Sequence, residues 1–280
     1  MERIPLGISR FDAMIGGGAP AGSVVLLASE AGAGGREFCY TATAMNGLAH
    51  GDAERFELYY GELKPQARLP AAVHYVSFTE SRRSIVGEMS VVLEDDLVEA
   101  GTDAVSFLDL SPEYFTPTPV PTDWYSDTRT DITDLGATRS RQGVLEALGE
   151  YLTQHAVGNL VVIDSVTDLI AAASETDRFG WADLTLLLRG LKRVAHRWGG
   201  LVLLLVNETV LTDQEFGHLK DASDGTLLFE WESGGAERDR TLVVEEFRGV
   251  LSRLEDENIV QFETEITGSG FDISNVRKIR

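Results

Sequence analysis

Five apolar runs mark the first three quarters of the chain: Ser23 to Ser29, Val73 to Phe78, Val105 to Leu110, Leu160 to Asp164, and Leu201 to Asn207. The last two are almost unbroken Val, Ile and Leu, the composition of strands buried on both faces. Between the runs lie segments with apolar residues at helical spacing: Glu37 to Ala49, Arg82 to Ala100, Arg141 to His155, and Trp181 to Trp198. The last carries Leu184, Leu187, Leu188, Leu191 and Val194, a stripe along one helical face. This alternation predicts an α/β fold, a mostly parallel sheet with helices on both faces.

After Asn207 the pattern changes. Gly225 to Glu232, Arg240 to Phe247 and Ile259 to Ile266 alternate as strands and are joined by polar turns such as Ser233-Gly234-Gly235. They predict an antiparallel extension of the sheet. One domain over residues 1–280 is expected, with a core to about 207, an extension over 208–280, and insertions near 52–72 and 111–133. The second insertion holds Pro112, Pro117, Pro119 and Pro121 and reads as a surface loop without regular structure. Its aromatics Tyr114, Phe115, Trp124 and Tyr125 suit either a partner anchor or the cover of a core edge.

Composition narrows the function classes. Asp and Glu number 45 against 24 Lys and Arg, a formal net charge of −21, and the only lysines are Lys64, Lys192, Lys220 and Lys278. Acidic excess with scarce lysine fits the salt-rich cytosol of a halophile, where charges are screened over a few ångströms; an acidic mesophilic protein is the alternative. No basic stripe points to nucleic acid. Cys39 is the one cysteine, which excludes an intrachain disulfide and a cysteine-based metal cage and reads as a packing residue. The five histidines have no ligand spacing. No run approaches a membrane span and the start Met1-Glu2-Arg3-Ile4-Pro5 lacks a signal-peptide shape, so a cytoplasmic protein is expected.

The chemistry concentrates after the first strand. Gly32-Ala33-Gly34-Gly35-Arg36-Glu37 follows an apolar run and opens a helical pattern, the context of a phosphate-binding loop. Such a loop ends in glycine, lysine, then serine or threonine. Here Gly34 is followed by Gly35 and Arg36, so the phosphate lysine and the magnesium hydroxyl are both missing. A second glycine spacing, Gly17 to Gly22 before Ser23, precedes its strand instead of following it and is rejected on context.

With these residues in place, the chain resembles the RecA-like ATPases, and among them the KaiC-like family common in archaea. Gly7-Ile8-Ser9-Arg10-Phe11-Asp12, the Gly16-Gly17-Gly18 run and Pro20-Ala21-Gly22-Ser23 are similar to the family's opening segment. Leu160-Val161-Val162-Ile163-Asp164 resembles a Walker B strand, whose acid implies a magnesium site at Asp164 if nucleotide binds. At Val76-Ser77-Phe78-Thr79-Glu80 the family carries two glutamates, the first a base for water; here it is Thr79, and Glu80 keeps the second place. Asp224-Gly225-Thr226-Leu227-Leu228 and Glu246-Phe247-Arg248-Gly249 resemble two further signatures. In the second, a lysine-x-arginine-glycine element reaches a neighbouring subunit's phosphate, and the lysine place is Glu246.

Gly35, Arg36, Thr79 and Glu246 together strip the cations and the base from one reaction. The resemblance therefore implies a non-catalytic, pseudo-ATPase member, similar to haloarchaeal proteins labelled signal-transduction homologues. It would act in regulation or as a scaffold through protein contacts, with itself or an intact relative, and need no cofactor. Two alternatives stand. One is a divergent ATP-binding protein or weak ATPase in which Gly32, Ala33, Gly34, Gly35, Arg36 and Glu37 cradle ATP and magnesium, and Arg36 replaces the lysine. The other is an accessory protein of DNA recombination. In the non-catalytic reading Glu80, Asp164 and Arg248 are vestiges of catalysis. Arg82-Arg83 reads as a solvated first helical turn, with a phosphate or partner contact as the alternative.

Overall fold

A computed structural model describes residues 2–116, 118–125, 143–175, 179–233 and 238–278. Two short strands, β1 (Arg3–Ile4) and β2 (Ala19–Pro20), pair by themselves in antiparallel fashion. The main sheet contains β3 (Ser23–Ser29), β4 (Val73–Ser77), β5 (Val105–Asp109), β6 (Leu160–Asp164) and β7 (Leu201–Asn207). It continues with β8 (Gly225–Ser233), β9 (Arg238–Phe247), β10 (Ile259–Thr267) and β11 (Gly270–Lys278). The spatial order is β11-β10-β9-β8-β3-β7-β6-β4-β5. β8 is parallel to β3 and antiparallel to β9, so pairing changes direction at β9 and not at residue 208.

The helices before β4 are α1 (Ser9–Met14), α2 (Gly35–Gly51) and α3 (Ala53–Tyr59). Then come α4 (Arg82–Val92), α5 (Asp95–Asp103), α6 (Ser111–Phe115) and α7 (Val144–His155). The remainder are α8 (Val166–Glu175), α9 (Trp181–Trp198), α10 (Asp213–Asp221) and α11 (Leu251–Asp256). Successive strand residues feed opposite faces, as period-two geometry demands. Val25, Leu27, Tyr75 and Leu203 face α2, α4 and α5 through Phe38, Met89 and Leu97. Val24, Leu26, Val161 and Leu204 face α7, α8 and α9 through Leu148, Leu169 and Leu188. Each such side chain taken fully out of water contributes about 1.5–3 kcal/mol. The two layers hold the carboxyl ends of β3, β6 and β7 rigidly side by side.

Two expectations need correction. The pattern over Arg82 to Ala100 is two helices, because Leu93 is extended and the Glu94 amide donates to the Gly268 carbonyl, 2.8 Å away in the β10–β11 turn. Asp95 and Asp96 then begin α5, where carboxylates suit the helix dipole. Within 111–133, α6 and a 3₁₀ turn at Thr122–Trp124 are regular: Pro112 lies in the first turn, which needs no amide donor, and Pro121 precedes the second. Residues 117 and 126–133 of that segment, and 141–142 of the expected helix start, lie outside the described residues. Between 52 and 72, α3 is capped by the Asp52 side chain accepting from the Arg55 amide at 3.1 Å. Of the loop aromatics, Trp124 is exposed. Phe115 meets Tyr114 edge-on and lies tilted against Tyr125, and the Tyr114 hydroxyl donates to the Asp168 carbonyl at 3.1 Å.

The opening segment is organised by buried Asp12. Its carboxylate accepts from the Leu6 amide at 2.9 Å, the Gly7 amide at 3.0 Å and the Tyr60 hydroxyl at 3.0 Å. Burial nevertheless pushes its pKa up to about 7, against those three donors. A carboxyl raised in the folded state adds stability at low pH that is lost as pH climbs through its folded pKa. Asp12→Asn should flatten the fall in Tm between pH 5 and pH 8. Thermal melts at the two values check this; an unchanged difference would show that Asp12 does not titrate there.

Candidate functional site

β3 ends at Ser29, which lies level with Asn207 of β7 and Phe229 of β8. The glycine loop leaves between those neighbours. Gly32 and Gly34 have φ of 74° and 115°, the left-handed region that favours glycine, and Gly34 caps α2. The loop is pinned from the C-terminal strands. The Glu30 amide donates to the Phe229 carbonyl at 2.9 Å, and a Glu30 carboxylate oxygen accepts from the Trp231 amide at 3.2 Å. The Trp231 indole donates to the Ala31 carbonyl and Arg240 Nε to the Gly32 carbonyl, each at 3.0 Å, with the guanidinium stacked over Trp231. The loop carbonyls are thus tied to β8 and β9, and a cavity of about 330 Å³ opens against Ser29, Gly35, Arg36, Ser165, Thr167 and Asn207. Glu30 and Glu37 also line it.

Gly35, at the lysine place, is sealed by its neighbours. A Cβ there would lie 2.6 Å from Ser29 Cβ, 2.8 Å from Ser29 Oγ and 3.2 Å from Leu205 Cδ1. Ser29 occupies the place of the first glycine of a phosphate loop, five residues before Gly34. Its Oγ accepts from the Gly35 amide at 3.3 Å and donates to the Glu30 carbonyl at 2.8 Å. The serine and the glycine interlock: either departure from the pattern alone would clash or leave a hole.

Arg36, at the hydroxyl place, turns across the sheet end. Nη2 lies 3.2 Å from Asp164 Oδ1, and Nη1 lies 3.8 Å from Glu88 Oε2 on α4. The Tyr75 hydroxyl donates to the other Asp164 oxygen at 2.6 Å, and the Tyr40 hydroxyl donates to Glu88. Asp164 is buried, its side chain 9% exposed, while Arg36 is half exposed. Burial raises the Asp164 pKa above the ordinary carboxylate value, and the Arg36 charge and Tyr75 hydrogen bond pull it back. For Arg36, burial works against the charge, but Asp164 leads Tyr40, Tyr75 and Glu88 in outweighing it, so the guanidinium stays firmly protonated. The peptide joining Asp164 to Ser165 is cis. Ser165 donates twice to the Asp168 carboxylate, from N at 3.2 Å and Oγ at 3.1 Å.

The other marked residues lie elsewhere. Glu80 accepts from the Ser84 hydroxyl at the start of α4 and does not line the cavity. Its amide and that of Thr79 approach Ser77 Oγ at 3.1 and 3.5 Å. Arg248 and Glu246 are exposed at the far end of β9, where Phe247 pairs with Gly225, so they lie at the amino end of β3, opposite the loop. The Arg248 amide donates to the Asp224 carbonyl at 3.0 Å, and an Asp224 carboxylate oxygen accepts from the Val24 amide at 3.0 Å. Cys39 is buried in α2. Sequence reasoning missed Ser29, Tyr40, Tyr75 and Glu88; only Ser29 carried a signal, its place in the loop pattern.

A magnesium ion does not fit these residues. Both Asp164 oxygens are engaged by protein donors, one of them a cation, and the hydroxyl that would share the ion is Arg36. Among the described residues, no three His, Cys, Asp or Glu side chains gather as a metal cage.

A glycine loop between β3 and α2, with an acid ending the strand two places along a parallel sheet, defines a RecA-like P-loop fold. The crystal structure of a KaiC-like protein from the hyperthermophilic archaeon Pyrococcus horikoshii matches it with a TM-score of 0.63 at 17% identity, covering 98% of this chain and 99% of that one. Likeness at that identity establishes the fold. No protein-family model and no curated protein matches the sequence.

Proposed function

We propose that this chain is a pseudo-ATPase on a RecA-like, KaiC-like fold, serving a regulatory or scaffold role through protein contacts, with itself or an intact relative. The observation that carries the reading is the Arg36–Asp164 pair: a fixed side-chain cation sits on the acid that a metal would need. Three further departures support it. Gly35 has no room for a side chain, Thr79 is no base, and Glu80 is held by Ser84. Each missing charge-assisted interaction is worth about 1.5–3 kcal/mol, so the absence of three slows phosphoryl transfer by roughly 10³–10⁷. Glu30 and Glu37 add negative charge beside any incoming phosphate. Among the described residues no helix is long and apolar enough to cross a membrane.

Purified protein in molar potassium chloride with magnesium should release no phosphate from ATP above the uncatalysed rate. Turnover abolished by Asp164→Asn would end this reading.

One observation favours a second reading, metal-free nucleotide binding. Among the described residues, the amides of Gly34, Arg36 and Glu37 donate to no protein acceptor, so the helix start keeps donors for an anion. That reading requires saturable ATP binding which Arg36→Ala abolishes. Calorimetry without a binding heat disposes of it. DNA binding has no such observation in its favour.

A further inference from the structure

An open groove of about 550 Å³, separate from the glycine-loop cavity, lies where β4 and β5 meet α4 and is lined by Ser81, Arg82, Arg83, Val86 and Asp109. Among the described residues no carboxylate forms an ion pair with Arg82 or Arg83. The Arg82 guanidinium is stacked over the Phe107 ring at 5.4 Å. The nearby acids are occupied: Asp109 Oδ1 accepts from the Ser111 amide at 2.8 Å, and Glu80 is held by Ser84. The two arginines are the first two residues of α4, whose first turn contains no acid. Cations there oppose the helix dipole, and an anion beside them reverses that sign. Ser81 Oγ takes the Ser84 amide, while the Arg82 and Arg83 amides donate to no protein acceptor among the described residues.

We propose that this groove is a binding site for a phosphate monoester, its phosphoryl oxygens between Arg82 and Arg83 and its organic group against Val86. Two planar guanidiniums offer more donors than the Asp109 carboxylate in the same groove accepts, and a phosphoryl group supplies further oxygens and negative charge for them. The groove volume suits a small organic ligand rather than a bare ion. The inference is independent of the glycine-loop reading, because the two sites share no lining residue.

The test is titration of the full chain with phenyl phosphate at low ionic strength, followed by amide NMR, with inorganic phosphate as comparator. Saturable shifts at Arg82, Arg83 and Val86 are expected, with Gly34 and Glu37 unmoved and phenyl phosphate bound more tightly than inorganic phosphate. The double variant Arg82→Gln/Arg83→Gln, with unchanged melting, should bind at least about tenfold more weakly, as removal of charge-assisted hydrogen bonds predicts. Equal affinity in the variant, non-saturating shifts, or shifts confined to Gly34 and Glu37 would each overturn the assignment.

Discussion

Arg36→Gln is expected to destabilise the protein by about 2–3 kcal/mol at neutral pH, a Tm fall of roughly 5–10 °C for a chain of this size. The substitution leaves Asp164 buried, with Tyr75 as its one remaining close donor. Removing one partner of a fully buried pair costs about 3–5 kcal/mol; half exposure of Arg36 reduces that figure. The sign of its pH dependence follows from linkage. Burial raises the Asp164 pKa and Arg36 lowers it, so the variant's folded carboxyl titrates higher still. Stability held by a raised carboxyl is present at low pH and lost as pH rises through the folded pKa. The gap between variant and wild type should therefore be wider at pH 8 than at pH 5. Arg36→Gln/Asp164→Asn should recover most of the loss, since neither charge is then stranded. Denaturant melts of the three proteins at both pH values measure all of this. A gap that ignores pH would show that the pair is a solvated surface contact.

Gly35→Lys, the change that nominally restores the phosphate loop, is expected to cost about 1–3 kcal/mol and to confer no nucleotide binding. Its Cβ meets Ser29 Cβ at 2.6 Å and Leu205 Cδ1 at 3.2 Å, and Arg36 still occupies Asp164. Ser29→Gly removes the closer obstruction, so Ser29→Gly/Gly35→Lys should melt above the single lysine variant. Thermal melts of the three proteins decide it. A single variant as stable as wild type would mean that the loop and strand end are not interlocked. Ser29 and Gly35 fit each other closely, and one substitution does not undo that fit.

The parallel half of the fold was legible because buried strands are written in unbroken apolar residues. Ser23–Ser29, Leu160–Asp164 and Leu201–Asn207 have the bounds the pattern predicts, as does α9 over Trp181–Trp198. Misreadings arose where a distant contact overrides local periodicity. Leu93 and Glu94 interrupt an otherwise helical pattern because Gly268, far along the chain, takes the Glu94 amide. β11 was missed because its apolar–polar alternation at Phe271-Asp272-Ile273 is short and is broken by Ser274 and Asn275, where the register with β10 also shifts. In the site, the departure of Gly35 and Arg36 from the phosphate-loop pattern was readable in the sequence. What Arg36 does instead was not, because Asp164 lies 128 residues away and Glu88 sits on a different helix. Distance in sequence conceals a pair that the sheet order creates, with β3 and β6 on either side of β7.

Arg36 already fills the electrostatic role a metal would take at Asp164, and the pseudo-ATPase reading depends on it. Isothermal titration of the wild-type protein with ATP in molar potassium chloride, with magnesium and then with EDTA, tests it most directly. The account predicts no magnesium-dependent heat. Saturable binding that requires magnesium and disappears in Asp164→Asn would contradict it.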